Sequence, residues 1–309
     1  MNGLLFIATA ILWGGSAIVT GHQASSGSPA VSVCYRMALV SVVMLGWCLL
    51  TGTRLAVGKS DRPWIALQGV LFFGLSFITF YQATTLIPSG LAALVLSTSS
   101  LIAAVTGFAV LSTPVTSRLI AGLCLGIAGL AIVVLPQVRS LALSDGFLAG
   151  VAWATAAAAS TGLGTVVAAR NQRRGIPLAA IMAWSALAGA FVAFAWAMAV
   201  GADAIVDVSI PYILGLLYLA ILASCLTFFM YFSLVERVGP AGASYTLSVV
   251  PLVALVLSAV FEDLDVTVPL VAGGIAIGIG NILVMNSPRP PAPEEKAAES
   301  TARPLQTGS

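Results

Sequence analysis

The 34 residues from Leu96 to Gly129 occur twice in this chain, and no other feature constrains its fold so tightly. Sliding the sequence by 151 positions, without a gap, lays Leu96-Ser97-Thr98-Ser99-Ser100-Leu101-Ile102-Ala103 on Leu247-Ser248-Val249-Val250-Pro251-Leu252-Val253-Ala254. The register survives a loop, where Val115-Thr116 meets Val266-Thr267. It continues through Leu119 on Leu270, Ala121-Gly122 on Ala272-Gly273 and Gly129 on Gly280. Eleven of the 34 positions are identical. Apolar composition alone gives scattered matches, not loops and glycines matched in one register. The chain therefore carries a duplicated unit, and that decides its architecture before any short motif does.

The duplicated unit belongs in lipid. Of 309 residues, 59% are hydrophobic and 8% charged, with a mean hydropathy of +1.05. A soluble domain carries about a quarter charged residues, enough to cover a wet surface. Ten apolar runs are long enough, or nearly so, to cross a core ~30 Å thick. They fall near Leu4–Thr20, Ala30–Leu50, Trp64–Gln82, Ser89–Leu111 and Leu119–Leu135, then Phe147–Ala169, Leu178–Val200, Tyr212–Leu234, Ala241–Phe261 and Val268–Met285. The sequence thus predicts an all-α integral membrane protein of ten spans. Residues 1–136 form the first five-span unit, 144–286 the second, and 287–309 a disordered cytoplasmic tail rich in proline and charge. Met1-Asn2-Gly3 has no basic side chain and the first run continues to Thr20, so the N-terminus reads as a span rather than a cleaved signal.

Loop charge orients the spans. With the N-terminus inside, the inner segments hold Arg54, Lys59, Arg62, Arg118, Arg170, Arg173, Arg174, Arg237, Arg289, Lys296 and Arg303, and the outer loops only Arg139. That asymmetry places both termini in the cytoplasm. Five is odd, so the second copy enters the membrane upside down. Inverted repeats are the plan of secondary transporters. A net charge of +2 is too small to suggest nucleic acid or an acidic partner, so the expected partners are lipid and a small molecule.

Few residues could carry chemistry. Arg36 is the one charge well inside a span, at a cost of ~2.5–3.5 kcal/mol on insertion scales. Two readings stay open: it snorkels to the outer interface, or it faces a cavity and holds a carboxylate or phosphate. Seven residues after Pro29 stands Arg36, and seven after Pro177 stands Trp184, so the second unit offers an indole at the same register. Ser97 and Ser100 lie mid-span among four hydroxyls, which either address a ligand or bond back to their own helix. Their repeat-mates are Ser248 and Pro251, and the proline predicts a break at the midplane. Trp13 and Trp153 place indoles in the core, for stacking on a substrate or for filling space. Tyr81 and Gln82 read as an interfacial belt. Gly122-x3-Gly126 and Gly274-x3-Gly278 present small-residue faces that either pack the halves together or form a homodimer seam.

No acid lies within a span, and the lone His22 sits at the outer end of the first. Proton coupling through a buried acid has no candidate, so facilitated diffusion or exchange is the simpler expectation. The four cysteines lie in apolar runs without metal-ligand spacing, and no catalytic, metal or cofactor motif is present.

The set resembles the EamA-type, ten-helix members of the drug/metabolite transporter superfamily. It comprises Leu12-Trp13-Gly14-Gly15, Tyr35-Arg36, Ile87-Pro88-Ser89-Gly90-Leu91-Ala92-Ala93, Val238-Gly239-Pro240-Ala241-Gly242-Ala243-Ser244 and Pro251. The resemblance implies an inner-membrane carrier of small metabolites, often an exporter of amino acids or related compounds, with a cavity between the halves. Ser100 stands where the family often has proline, which implies a straighter fourth span. A multidrug or cationic-drug exporter of the same fold, or a scaffold without transport, is the alternative.

Overall fold

Proline sets where several helices begin. Pro29, Pro63 and Pro211 each stand in a helix's first turn, where no backbone N–H is needed. The computed structural model describes residues 2–111, 116–139, 146–203 and 209–285, and the regular structure among them is entirely helical. The expected tail and the loops around 112–115, 140–145 and 204–208 lie outside the described residues.

In chain order the helices are α1 (Asn2–Ser25), α2 (Pro29–Thr51), α3 (Arg62–Gln68), α4 (Ser76–Thr84), α5 (Ser89–Leu96), α6 (Ser99–Leu111), α7 (Ser117–Arg139), α8 (Phe147–Arg173), α9 (Leu178–Ala199), α10 (Ile210–Leu217), α11 (Thr227–Phe261) and α12 (Val268–Met285). Two π-helical segments, Gly69–Leu75 and Tyr218–Leu226, carry α3 into α4 and α10 into α11. Among the described residues, 8 helical stretches from Asn2–Ser25 to Ile210–Tyr231 are long and apolar enough to cross a membrane. Two shorter apolar helices follow, Val249–Phe261 and Val268–Val284.

Helix α11 is helical throughout but cannot be straight. The Trp13 and Phe228 ring centroids are 5.5 Å apart, while a Cβ added to neighbouring Gly14 would lie 2.6 Å from Val253 Cβ. A straight helix would put about 37 Å between residues 228 and 253. The chain therefore doubles back between Tyr231, which also packs on Trp13, and Val250. Pro240, expected to open a new run, lies inside this helical stretch.

Small residues decide which helices touch. At Gly14 an added Cβ would meet Val253 Cβ and, at 3.1 Å, the Val250 carbonyl; at Gly162 it would meet Ile102 Cβ and the Ser99 carbonyl, both at 2.8 Å. Val250 and Val253 are the repeat-mates of Ser99 and Ile102. Between α7 and α12 the same exchange recurs. A Cβ on Gly122 would lie 2.7 Å from Gly280 O, and one on Gly129 would lie 2.7 Å from Gly273 O. Gly122 also meets Val284, and Gly273 meets Val133, the repeat-mate of Val284. The seam on α12 thus runs through Gly273, Ile277 and Gly280. Gly126 joins it opposite Gly280, but the expected Gly274 and Gly278 are one position off: Gly274 has only ordinary contacts and Gly278 meets nothing within 4 Å.

The fourth span is broken, against expectation. Helix α5 stops at Leu96 and α6 starts at Ser99, with Ser97 and Thr98 forming a turn. Their hydroxyls donate to the carbonyls of Leu94 and Val95, each at 2.7 Å, and so compete with the helical ladder. Pro251, which predicted the break in the other half, lies buried within α11.

Candidate functional site

Arg36 does not snorkel. Only 4% exposed, it turns from α2 into the protein and meets three elements. Its Nη1 donates to Thr20 Oγ1 of α1 at 3.5 Å and to Tyr81 Oη of α4 at 3.4 Å, and Nη2 donates to Ser224 Oγ at 3.3 Å. The Phe77 ring lies under the guanidinium, 4.6 Å away. These contacts are long for a charged donor, which closes to about 2.7–2.9 Å on a carboxylate. Nε is buried with no partner, and none of the described acids pairs with Arg36. The cation is held loosely by neutral groups.

Local backbone explains one partner. Ser224 belongs to the π-helical segment, where its hydroxyl also donates to Leu219 O at 2.8 Å, five residues back. Such wide turns recur at functional sites because they re-aim a side chain.

Buried hydrogen bonds continue from Arg36 toward the α1 C-terminus. Tyr81 Oη donates to Gln23 Oε1 at 3.1 Å, and Gln23 Nε2 donates to Tyr212 O at 3.3 Å. Tyr212 Oη pairs with Ser32 Oγ at 2.8 Å. Tyr81 is therefore not part of an interfacial belt but fully buried beside the arginine.

On the opposite flank of α1 lies a cavity of about 820 Å³. Ile18, Gly21 and His22 of α1, the turn Thr84–Pro88, Pro211 and Leu214 of α10, and Tyr218 line it. Its size suits a small metabolite. Helix α1 separates it from the arginine: Thr20 accepts from Arg36 and Gln23 from its neighbour Tyr81, while Ile18, Gly21 and His22 line the cavity. Glu262 closes one end of the cavity, and its carboxylate accepts Ser89 N–H at 2.8 Å and the Ser258 hydroxyl. Helix α5 follows Pro88 and has no side-chain cap of its own, so Glu262 supplies one from α11. Glu262→Ala is expected to destabilise the purified protein by about 1–2 kcal/mol, read as a lower melting temperature.

The other sequence candidates lie apart from Arg36. Trp13 donates its indole N–H to Ala223 O at 3.0 Å and packs on Phe228 and Tyr231. Trp153 packs against the apolar cluster of α5 and α8. Trp184, 38% exposed, donates to Leu55 O at 3.0 Å, so the register-mate of Arg36 faces a loop instead of the interior. Ser97 bonds back to its own helix, and Ser100 donates to Asn281 Oδ1 on α12 at 2.6 Å. Ser248 lies within α11, its side chain outside the described residues. Thr20, Gln23, Tyr81 and Ser224 complete the arginine's surroundings. The one signal available for them was the rarity of polar groups at depth.

Apolar helices of spanning length around a buried, polar, cationic centre define an integral membrane protein. The EamA-like transporter family model matches residues 2–135 and again 148–286, so the chain belongs to that family, within the drug/metabolite transporter superfamily. It is 30% identical over 253 residues to Protein PecM of Dickeya dadantii (strain 3937), covering 81% of this chain and 80% of that one. A protein crystal structure shares the fold with a TM-score of 0.63 at 18% identity, over 92% of this chain and 96% of that chain.

Proposed function

We propose that this chain is a secondary carrier, not an enzyme. It moves a small polar metabolite, an amino acid or related compound, outward across the cell inner membrane. Ten spans form two inverted five-helix halves, 1–136 and 144–286, with both termini cytoplasmic. Alternating access arises as one half rocks against the other.

One observation carries the reading: contacts between the halves are exchanged, not merely similar. Gly14 meets Val250 and Val253 while Gly162 meets their repeat-mates Ser99 and Ile102, and Gly122 meets Val284 while Gly273 meets Val133. Such reciprocity supports a two-fold axis relating the halves. The substrate class rests on Arg36. A buried guanidinium with neutral, long-range partners and an unpaired Nε gains most from a carboxylate, and it repels a cationic drug.

Reconstituted vesicles loaded with the substrate are expected to show saturable uptake that accelerates with internal solute. A purified-protein thermal-shift screen over amino acids, organic acids, nucleosides and cationic drugs supplies the compound to load. Flux that rises linearly with concentration, without trans-stimulation, refutes the carrier reading. A melting temperature raised by cationic drugs alone refutes the substrate class.

A further inference from the structure

The inner end of the helix bundle holds an arrangement that has no match at the other end among the described residues. Asp61, just before α3, is 8% exposed. Arg170 Nη1 lies 2.6 Å and Arg174 Nε 3.4 Å from its Oδ1. The Arg170 guanidinium also covers the Trp64 ring at 4.9 Å. Beside it, fully buried Asn171 donates Nδ2 to Trp64 O at 3.3 Å and to Gln68 Oε1 at 2.8 Å. Each contact ties α3 to the C-terminal end of α8, one half to the other.

The register that places Pro63 on Pro211 and Gly14 on Gly162 assigns the counterparts (211 − 63 = 148; 162 − 14 = 148). Asn171 falls on Gln23 and Trp64 on Tyr212, and the amide bond is kept, since Gln23 Nε2 donates to Tyr212 O at 3.3 Å. The charges are not kept. Asp61 falls on Ser209 and Arg170 on His22.

Space differs in the same way. Ile18, Val19, His22 and Pro211 line the 820 Å³ cavity. Their counterparts are Val166, Val167, Arg170 and Pro63, and Val166 and Val167 are 7% and 8% exposed. One junction is written twice: a cavity lies at the copy without the ion pair, and at the copy with it Val166 and Val167 are buried while Pro63 and Trp64 stay exposed at the rim.

We propose that Asp61, with Arg170 and Arg174, is a latch that holds the inner end closed in this conformation and parts once in each cycle. This rests on the carrier reading above. Asp61 is nearly buried while Arg170 is partly buried and Arg174 exposed, so the pair holds while the junction is closed, and water entering an open vestibule replaces the lost contacts. The latch can therefore hold one state without forbidding the other.

Reporter cysteines test it in the full chain. Ile18→Cys is expected to react with a membrane-impermeant maleimide from the outer face, and Val166→Cys to be protected from the inner face, over the background of the native cysteines. Adding Asp61→Asn is expected to raise the Val166→Cys labelling rate roughly tenfold, within the usual range for conformational coupling, and to slow Ile18→Cys. Arg170→Gln is expected to act in the same direction but less, because Arg174 remains; it also decides the matter if the Asp61 variant does not fold. Unchanged labelling at both reporters in folded variants overturns the latch. Counterflow in the same vesicles keeps the two ideas apart. Shifted reporters without flux in the unsubstituted chain sink the carrier and its cycle and leave only a contact that closes the inner end, whereas flux with unmoved reporters sinks the latch alone.

Discussion

Arg36→Met is expected to lower solute flux by roughly tenfold or more, since a charge-assisted hydrogen bond contributes about 1.5–3 kcal/mol. Its melting temperature is expected to stay level or rise. Both halves of the prediction come from the same geometry. An arginine kept for stability has ion-pair partners at short range, and this one has hydroxyls at 3.3–3.5 Å and an unpaired Nε. Replacing buried ion pairs by apolar side chains of similar volume is often neutral or stabilising, by about 1–4 kcal/mol, and a buried cation without an ion-pair partner has less attraction to lose. Two of the hydroxyls keep other acceptors after the change, Tyr81 at Gln23 and Ser224 at Leu219. Flux into vesicles and thermal unfolding in detergent measure the two parts separately. A large fall in melting temperature makes the arginine a structural residue, and undiminished flux removes it from the substrate path. Arg36→Lys keeps the charge without the planar fork, so partial flux in that variant points to a carboxylate gripped by two donors.

The sequence made the membrane-spanning, all-helical character legible because lipid leaves so few options: long apolar runs and satisfied backbones. It also pointed to Arg36, since a charge at depth stands out against any apolar background. What surrounds Arg36 was less legible. Gln23 reads as part of a polar connector, yet α1 continues to Ser25 and carries that amide inside. Tyr81 looks like belt material until its neighbours are known, because an aromatic with a hydroxyl serves at an interface and in a buried network equally well. The break in the fourth span was misassigned for a related reason. Proline at 251 is a strong local signal, but neighbouring helices can re-satisfy what it frees, whereas Ser97 and Thr98 rewire their own carbonyls. Trp184 shows the limit of symmetry: register predicts where a side chain starts, not which way it points.

Gly129→Leu is expected to abolish folded protein, while Gly278→Leu, on the same pair of packed helices, is expected to leave it intact. A Cβ at position 129 would lie 2.7 Å from the carbonyl oxygen of Gly273 and 2.9 Å from Ile277 N, both backbone atoms that cannot rotate away. Overpacking of ordinary side chains costs about 1–3 kcal/mol, and moving two helix backbones apart costs more, enough to exceed the usual margin of stability. At Gly278 a Cβ would meet nothing within 4 Å, and a leucine there extends the apolar surface offered to lipid. Yield of monodisperse protein after detergent extraction reads the difference. The comparison also probes the two-fold axis. If the halves exchange contacts, repeat-mates must be penalised in pairs, so Gly122→Leu and Gly273→Leu are expected to fail together, as are Gly14→Leu and Gly162→Leu. A pair in which one member folds and its mate does not would mean that the matched contacts arose from local packing, and the inverted arrangement would lose its strongest support.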